Sequence, residues 1–359
     1  MLFPYKYVPH QMEQMQAFID FIFYDLWCKA PGNGPFRLDL FDGDADLKEI
    51  MTSFFYDHTA GGDFFYGHVE RIYGLFAVLN QPQIAQFKQW YQANNDIEKV
   101  CANDPVVHIA RYKDILVVHP KLGKQLATFF RGLYDKSLLN LADLRAKIGE
   151  IGNHNQAFFQ VNNIGKCPFC GISDLKGIHH TRREAYDHYL PKYRYPFNSI
   201  NFRNLAPACH ECNSTYKLSK DPAHNAAGRR KAFYPYANHG QNIELTINLG
   251  KTDLDRLVPA DIQLVFGPPA INEEIETWKD VYGIDERYKA KCCSGDAKDW
   301  LEQIRILRDK HGIAPEASLH TVQQQTKNAP FANNNFLKKA FLEGCDRTGL
   351  LNEFVERRR

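Results

Sequence analysis

Apolar side chains recur at helical spacing through the first part of the chain. Met12, Met15, Ile19, Ile22 and Leu26 form one stripe, and Leu122, Leu126, Phe129, Phe130 and Leu133 form another. A period near 3.6 residues is that of helices with one buried face. Residues 1–161 therefore read as a largely helical region. At Asn162 the texture changes to short, turn-rich segments carrying Cys, His, Pro and Asn, and this character lasts to Lys231. Beyond it, Ile243-Glu-Leu-Thr-Ile-Asn-Leu249 and Ile262-Gln-Leu-Val-Phe266 read as short strands bounded by Gly and Pro. Glu273 to Tyr282 and Ala297 to Lys310 read as helices, the second with Trp300, Leu301, Ile304 and Leu307 along one side. The tail, with Asn333-Asn-Asn335 and Glu356-Arg-Arg-Arg359, reads as frayed. The expected fold class is α+β: a helical region (1–161), a central module (162–231) and a mixed α/β region (232–359) packing on it.

Composition narrows the setting. A chain of 359 residues with 44% hydrophobic, 24% charged and 13% aromatic residues is globular and long enough for more than one core. The start lacks a basic stretch followed by a clean apolar one, and Phe18 to Trp27 is broken by Asp20 and Asp25 and falls short of a membrane span. The reading is cytoplasmic, without a membrane partner. Nine cysteines at irregular positions disfavour a disulfide framework, and Cys28, Cys101, Cys292, Cys293 and Cys345 read as buried or indifferent thiols. The acidic Leu40-Phe-Asp-Gly-Asp-Ala-Asp46 looks superficially like a calcium loop. It lacks the glutamate at the twelfth position and reads instead as a loop and helix cap.

Charge is unevenly spread. Between Lys166 and Lys231 stand twelve lysines and arginines against five acidic residues, a net +7 in a chain whose total is +2, so the remainder carries −5. A concentrated positive field suits a phosphate-bearing partner.

The same window holds two Cys-x-x-Cys pairs, Cys167 with Cys170 and Cys209 with Cys212. Each pair can direct two thiolates at one ion from a single turn, and four sulfurs suit tetrahedral Zn2+. Neither pair sits in the strand-to-helix context of a redox motif. A closed four-cysteine site has no place for water, so this zinc is structural and catalysis falls to other groups. Between the pairs lies Asp187-His188, which alone is as readily a surface acid–imidazole pair as a metal ligand beside a general base.

The spaced run Cys-x-x-Cys, Asp-His-x-x-Pro-Lys, Asn-Leu-x-Pro-x-Cys-x-x-Cys-Asn, from Lys166 to Lys220, resembles the HNH endonuclease family in its zinc-knuckle form. The resemblance implies a ββα-metal core: a β-hairpin, a helix and one catalytic divalent ion between them. It assigns His188 as general base, Asn204 as the residue that orients the histidine and steadies the loop, and Asp187 and Asn213 as ligands of the divalent ion, an H-N-N variant. Oxygen ligands favour Mg2+ or Mn2+. Lys217 is a candidate phosphate contact, one residue further from Asn213 than in many members. Lys192, Arg194, Arg203, Arg182 and Arg183 can hold a backbone by charge. Tyr193 and Tyr195 read first as packing, and His179, His180 and His210 lie outside the pattern. The implied function is metal-dependent hydrolysis of phosphodiester bonds, DNA favoured, with phage defence or restriction as the suggested setting. The helical region is left to sense, to dock a protein partner or to form a homo-oligomer. The alternatives are a non-catalytic zinc-dependent module that binds nucleic acid or protein, and a nuclease subunit active only in a complex.

Overall fold

Both helical stripes are buried along their whole length in the computed structural model of the chain, which describes residues 1–134 and 141–352. The first stripe runs from a turn at Gln11–Glu13 through the helix Gln14–Phe21 into a widened continuation, Ile22–Leu26. The second is the inner face of Pro120–Leu133. With Ala45–Asp57, Ala60–Phe76 and Gln81–Asn95 they enclose an aromatic core, in which Phe23 stacks on Tyr91 at 3.9 Å and Trp27 lies on Phe76. The Asp44 side chain accepts from Leu47 N at 3.0 Å and caps Ala45–Asp57, so the acidic stretch is a loop and cap.

The last helix of this region, Ile151–Val161, ends where the composition changes. Asn162 follows it, buried, and pins an extended N-terminal segment by exchanging hydrogen bonds with the backbone of Lys6. Next come two strands, β1 (Ala185–His188) and β2 (Leu205–Ala208), paired antiparallel with Asp187 opposite Ala206 and His188 opposite Leu205. A short helix, Glu211–Lys217, follows directly. Two-residue strands β3 (His224–Asn225) and β4 (Gly228–Arg229) close a small ribbon.

The C-terminal region forms as its pattern predicts. Strands β5 (Glu244–Leu249) and β6 (Ile262–Gly267) pair antiparallel, and Asn272–Tyr282 and Gly295–His311 are helices. Three further helices, Ile284–Cys292, Pro315–Asn328 and Asn335–Arg347, complete it. The expectation of a frayed tail is corrected as far as Asn352. Asn333 and Asn334 take left-handed backbone, which asparagine tolerates, and turn the chain into Asn335–Arg347. That helix packs on β5 so closely that a Cβ on Gly344 would meet the Ile247 carbonyl oxygen at 2.5 Å. Glu356–Arg359 lie outside the described residues.

The architecture is α+β, with two hydrophobic cores, and the hairpin is built into both. Tyr186, Phe197, Ile200, Phe202 and Leu205 belong to the helical core. Tyr189, Leu190, Ala206, Ala208 and the four paired cysteines belong to the C-terminal one, together with Met1, Leu2, Phe3 and Tyr5. Alternation along β2 sends successive side chains to opposite faces, so Leu205 enters the helical core and Ala206 the C-terminal one, while β1 gives Tyr186 to the helical core and the chain just past its end gives Tyr189 and Leu190 to the other.

Candidate metal centre and hydrolytic site

The two Cys-x-x-Cys turns converge. The sulfurs of Cys167, Cys170, Cys209 and Cys212 are buried and lie within 4.8 Å of one another, with 4.0 Å between Cys170 and Cys209. Metal–sulfur bonds of about 2.3 Å at tetrahedral angles place sulfurs about 3.8 Å apart. No disulfide joins them, and the donor set fits a metal such as zinc. Local backbone explains the fit. Gly171 takes φ +68° and donates to the Cys167 carbonyl at 2.7 Å, closing the first turn. Cys212 N donates to Cys209 Sγ at 3.4 Å in the second.

A residue that the sequence reading missed completes the cluster. Arg287, only 9% exposed, points Nη1 at Cys212 Sγ from 3.1 Å and lies 4.8 Å over the Tyr216 ring. A buried guanidinium against a thiol matches thiolate charge, since four thiolates around a divalent ion leave a net −2. Replacing Arg287 by Met is expected to weaken metal affinity about 10- to 100-fold, as read by competition with a chromophoric chelator.

His188 ends β1, and its ring packs edge-on against Tyr134 at 4.3 Å. Its Nε2 lies 2.8 Å from the Ser199 carbonyl oxygen. A carbonyl can only accept, so Nε2 carries the proton and the lone pair sits on Nδ1. Burial, then the charge of Lys192, pushes the imidazole down to about 3, against a stabilising Ser199 hydrogen bond. The fold therefore prefers neutral His188. As pH falls below about 6.5, the unfolded chain takes up a proton that the folded one refuses, so stability is full above that pH and is lost toward 3. His188 is expected to account for about 2 kcal/mol of loss between pH 7 and pH 5, and the loss should be absent in His188→Gln. His154, held near 4 by burial, adds to the same slope. Urea midpoints at the two pH values, compared between the two proteins, isolate the His188 share.

Asn204 is fully buried and holds the loop between the strands. Its Oδ1 accepts from Leu190 N at 2.7 Å, and its Nδ2 donates to the carbonyls of Leu190 (3.0 Å) and Asn198 (3.2 Å). Both Asn198 and Ser199 lie on this loop, so Asn204 reaches the imidazole through the backbone that accepts its proton.

Asp187 points the other way. Its Oδ1 accepts from Lys217 Nζ at 2.8 Å, and the same ammonium donates to the His188 carbonyl at 2.7 Å. Both partners are buried, at 3% and 1% exposure. Burial raises the Asp187 carboxyl above its ordinary range, opposed by Lys217, and Oδ2 is buried with no partner. Asn213, the other expected ligand, is half-buried on the Glu211–Lys217 helix, and no described residue bonds its side chain. As arranged, these residues do not fit a bound Mg2+ or Mn2+, because an ammonium already sits on the carboxylate.

A Septu protein PtuB from Bacillus thuringiensis is similar to this chain. The two are 24% identical over 193 residues, which cover 51% of this chain and 70% of the relative. No family model matches the chain, and no solved structure matches it.

The expected phosphate contacts divide. Lys217 is a correction: buried in its ion pair, it presents no charge to a surface. Arg203 stacks over Tyr7 at 4.2 Å and opens on a cavity of about 1070 Å3 whose lining includes Glu13, Asp20, Asp46, Asp96 and Glu98, a field that repels phosphate. Arg194 is exposed and lines a cleft of about 370 Å3 with Arg111, Lys220, His224 and Arg230. Lys192 lies 5.3 Å from the Tyr134 ring and 5.6 Å from the Tyr193 ring, on the His188 side of the hairpin. Tyr193 is exposed, with Arg131 on its ring at 5.3 Å, whereas Tyr195 is buried and donates to Asp221 at 2.8 Å. Arg182, Arg183, His179, His180 and His210 are exposed, and none of the three histidines joins the cysteine cluster. Among the described residues, no helix is long and apolar enough to cross a membrane.

Proposed function

We propose that the chain is an HNH-type endonuclease that hydrolyses DNA phosphodiester bonds, with His188 as general base and zinc in the cysteine cluster. The observation that carries this reading is the fixed tautomer of His188. The Nε2 proton is committed to the Ser199 carbonyl, which leaves Nδ1 to accept a proton from the water that attacks phosphorus. Asn204 holds the loop that carries Ser199, and the Tyr134 ring packs edge-on against that imidazole. A base near 3 is weak in the free protein. A phosphodiester anion drawn to this face offsets the Lys192 charge and raises it. Lys192 and the Arg194 cleft supply the positive field for the backbone. Hydrolysis on this pattern leaves 3'-hydroxyl and 5'-phosphate ends. Similarity to a Septu protein supports the phage-defence setting.

The Lys217 contact on Asp187 favours a second reading, a zinc-dependent module that binds nucleic acid or protein without cleaving it. Incubating the full chain with supercoiled plasmid and Mg2+ or Mn2+, beside EDTA and His188→Ala controls, separates the two. The nuclease reading expects relaxed or linear product from wild type alone. Cleavage that persists in His188→Ala removes the assigned base, and no cleavage by wild type leaves the second reading.

A further inference from the structure

We propose that the cleft where Arg194 meets Arg111 and Arg230 is a binding site for a terminal phosphomonoester, the dianionic group at the end of a nucleic-acid strand or on a free nucleotide. His188 is not part of its lining, and the site stands whether or not the chain cleaves nucleic acid.

All three regions of the chain supply the cleft of about 370 Å3. Arg111 precedes the helix Tyr112–Val118, Arg194 stands on the loop between β1 and β2, Lys220 and Arg230 flank the β3–β4 ribbon, and Asp280 comes from Asn272–Tyr282. Tyr112 N donates to the Arg194 carbonyl at 2.9 Å, which ties the helical region to the hairpin loop at this point. The volume lies at the lower end of the range of about 300–1,000 Å3 for small-molecule sites. It suits one nucleotide unit and is too small for a folded partner.

Charge selects the ligand. In the lining, Arg111, Arg194, Lys220 and Arg230 face two carboxylates, Asp221 and Asp280, which leaves a surplus of two positive charges. Beyond the lining, Asp114 lies 3.7 Å from Arg111 and Arg229 stands next to Arg230, one charge of each sign. A phosphodiester carries about one negative charge, whereas a terminal phosphomonoester carries about 1.5 to 2 near pH 7. The monoester matches the surplus. Both carboxylates are already engaged: Asp221 accepts from Tyr195 at 2.8 Å and from Ala223 N at 3.0 Å, and Asp280 accepts from Arg230 Nη1 at 2.6 Å. The cations are less fully answered. The exposed Arg194 guanidinium bonds through Nε alone, to the Ser219 carbonyl at 2.9 Å, so its two outer nitrogens bond no described residue. That fork is the geometry that takes two phosphate oxygens at once. Arg230 is 9% exposed, with Nε buried and without a partner, and the one carboxylate on it is half exposed. A second anion in the cleft offsets the cost of burying that charge.

The test measures binding to the full, zinc-loaded chain without added Mg2+ or Mn2+, by fluorescence anisotropy. The probe is an internally labelled oligonucleotide that ends in a 5'-phosphate, in a 3'-phosphate, or in hydroxyls at both ends. Wild type is expected to prefer a phosphate-ended strand at least about tenfold, the worth of one charge-assisted hydrogen bond. Arg194→Gln and Arg111→Gln should each lose that preference. The ratio is the readout, because removing one positive charge weakens binding of every strand alike. Arg194 is exposed, so its variant keeps the fold. Calorimetric titration with adenosine monophosphate covers the other source. Binding of the monophosphate that disappears in Arg194→Gln, with no preference among the strands, assigns the cleft to a free nucleotide. Equal affinity for the three strands together with no binding of the monophosphate overturns the proposal, as does a preference that survives both substitutions. The plasmid assay decides the nuclease reading separately, and its failure leaves the phosphate preference standing.

Discussion

Removing the metal from the cysteine cluster is expected to unfold the C-terminal core as a unit. Cys167, Cys170, Cys209 and Cys212 are all buried in that core, beside Met1, Phe169, Trp278, Tyr282 and Tyr288. Neighbours bond to the knuckle backbone: Trp278 Nε1 donates to Phe169 O at 2.6 Å, Tyr288 to Cys170 O at 2.9 Å, and Leu2 N to Pro168 O at 2.9 Å. A metal held by the four thiolates would thus organise a turn onto which three distant pieces of chain dock. Structural zinc contributes about 10–16 kcal/mol of binding free energy in small zinc peptides at neutral pH, more than most domains hold in total stability. Chelation, or Cys212→Ser, should therefore abolish the cooperative thermal transition of this core. The helical core, which contains none of the four thiols, should keep much of its helical signal. Measured metal content should be about one zinc per folded chain. An unchanged melting curve after complete metal removal would contradict the assignment.

Lys217→Met is expected to cost about 3–5 kcal/mol of stability in the zinc-loaded chain, the usual penalty for leaving one partner of a buried ion pair alone. The size follows from the site. Asp187 is 3% exposed, and Lys217 is the partner that opposes its burial. The His188 carbonyl loses the same donor. A charge-neutral double change, Lys217→Met with Asp187→Leu, should recover most of the loss, because what costs is the uncompensated carboxylate and not the missing contact. Urea titrations of the three proteins provide the comparison. A loss below about 1 kcal/mol in Lys217→Met would mean that the pair is effectively solvated.

Much of the fold was legible because it rests on periodicity. The Met12-to-Leu26 and Leu122-to-Leu133 stripes, and strands β5 and β6, stand where alternation and helical spacing put them. Convergence of the cysteine pairs followed from ligand spacing, a local property of two tight turns. What was not legible depends on contacts between residues far apart in the chain. Lys217 read as a surface cation because its neighbours, Tyr216 and Leu218, give no sign of the widened turn that brings it inward. Arg287 sits in a helix of ordinary polar composition, and only the folded chain reveals that it faces Cys212. The tail misled for a related reason. Three asparagines look like a fraying end, but here the first two take the left-handed turn and the third starts a packed helix. Nor did a boundary drawn from composition at 162 foresee that the hairpin would divide its side chains between two cores.

The most direct test of the central claim is single-turnover cleavage of end-labelled duplex DNA by wild type and His188→Ala, with the product ends identified. The account predicts 5'-phosphate, ligatable ends from wild type and a rate about 10²- to 10⁴-fold lower in His188→Ala, the usual contribution of a positioned general base. Equal rates in the two proteins, or 3'-phosphate ends, would contradict it.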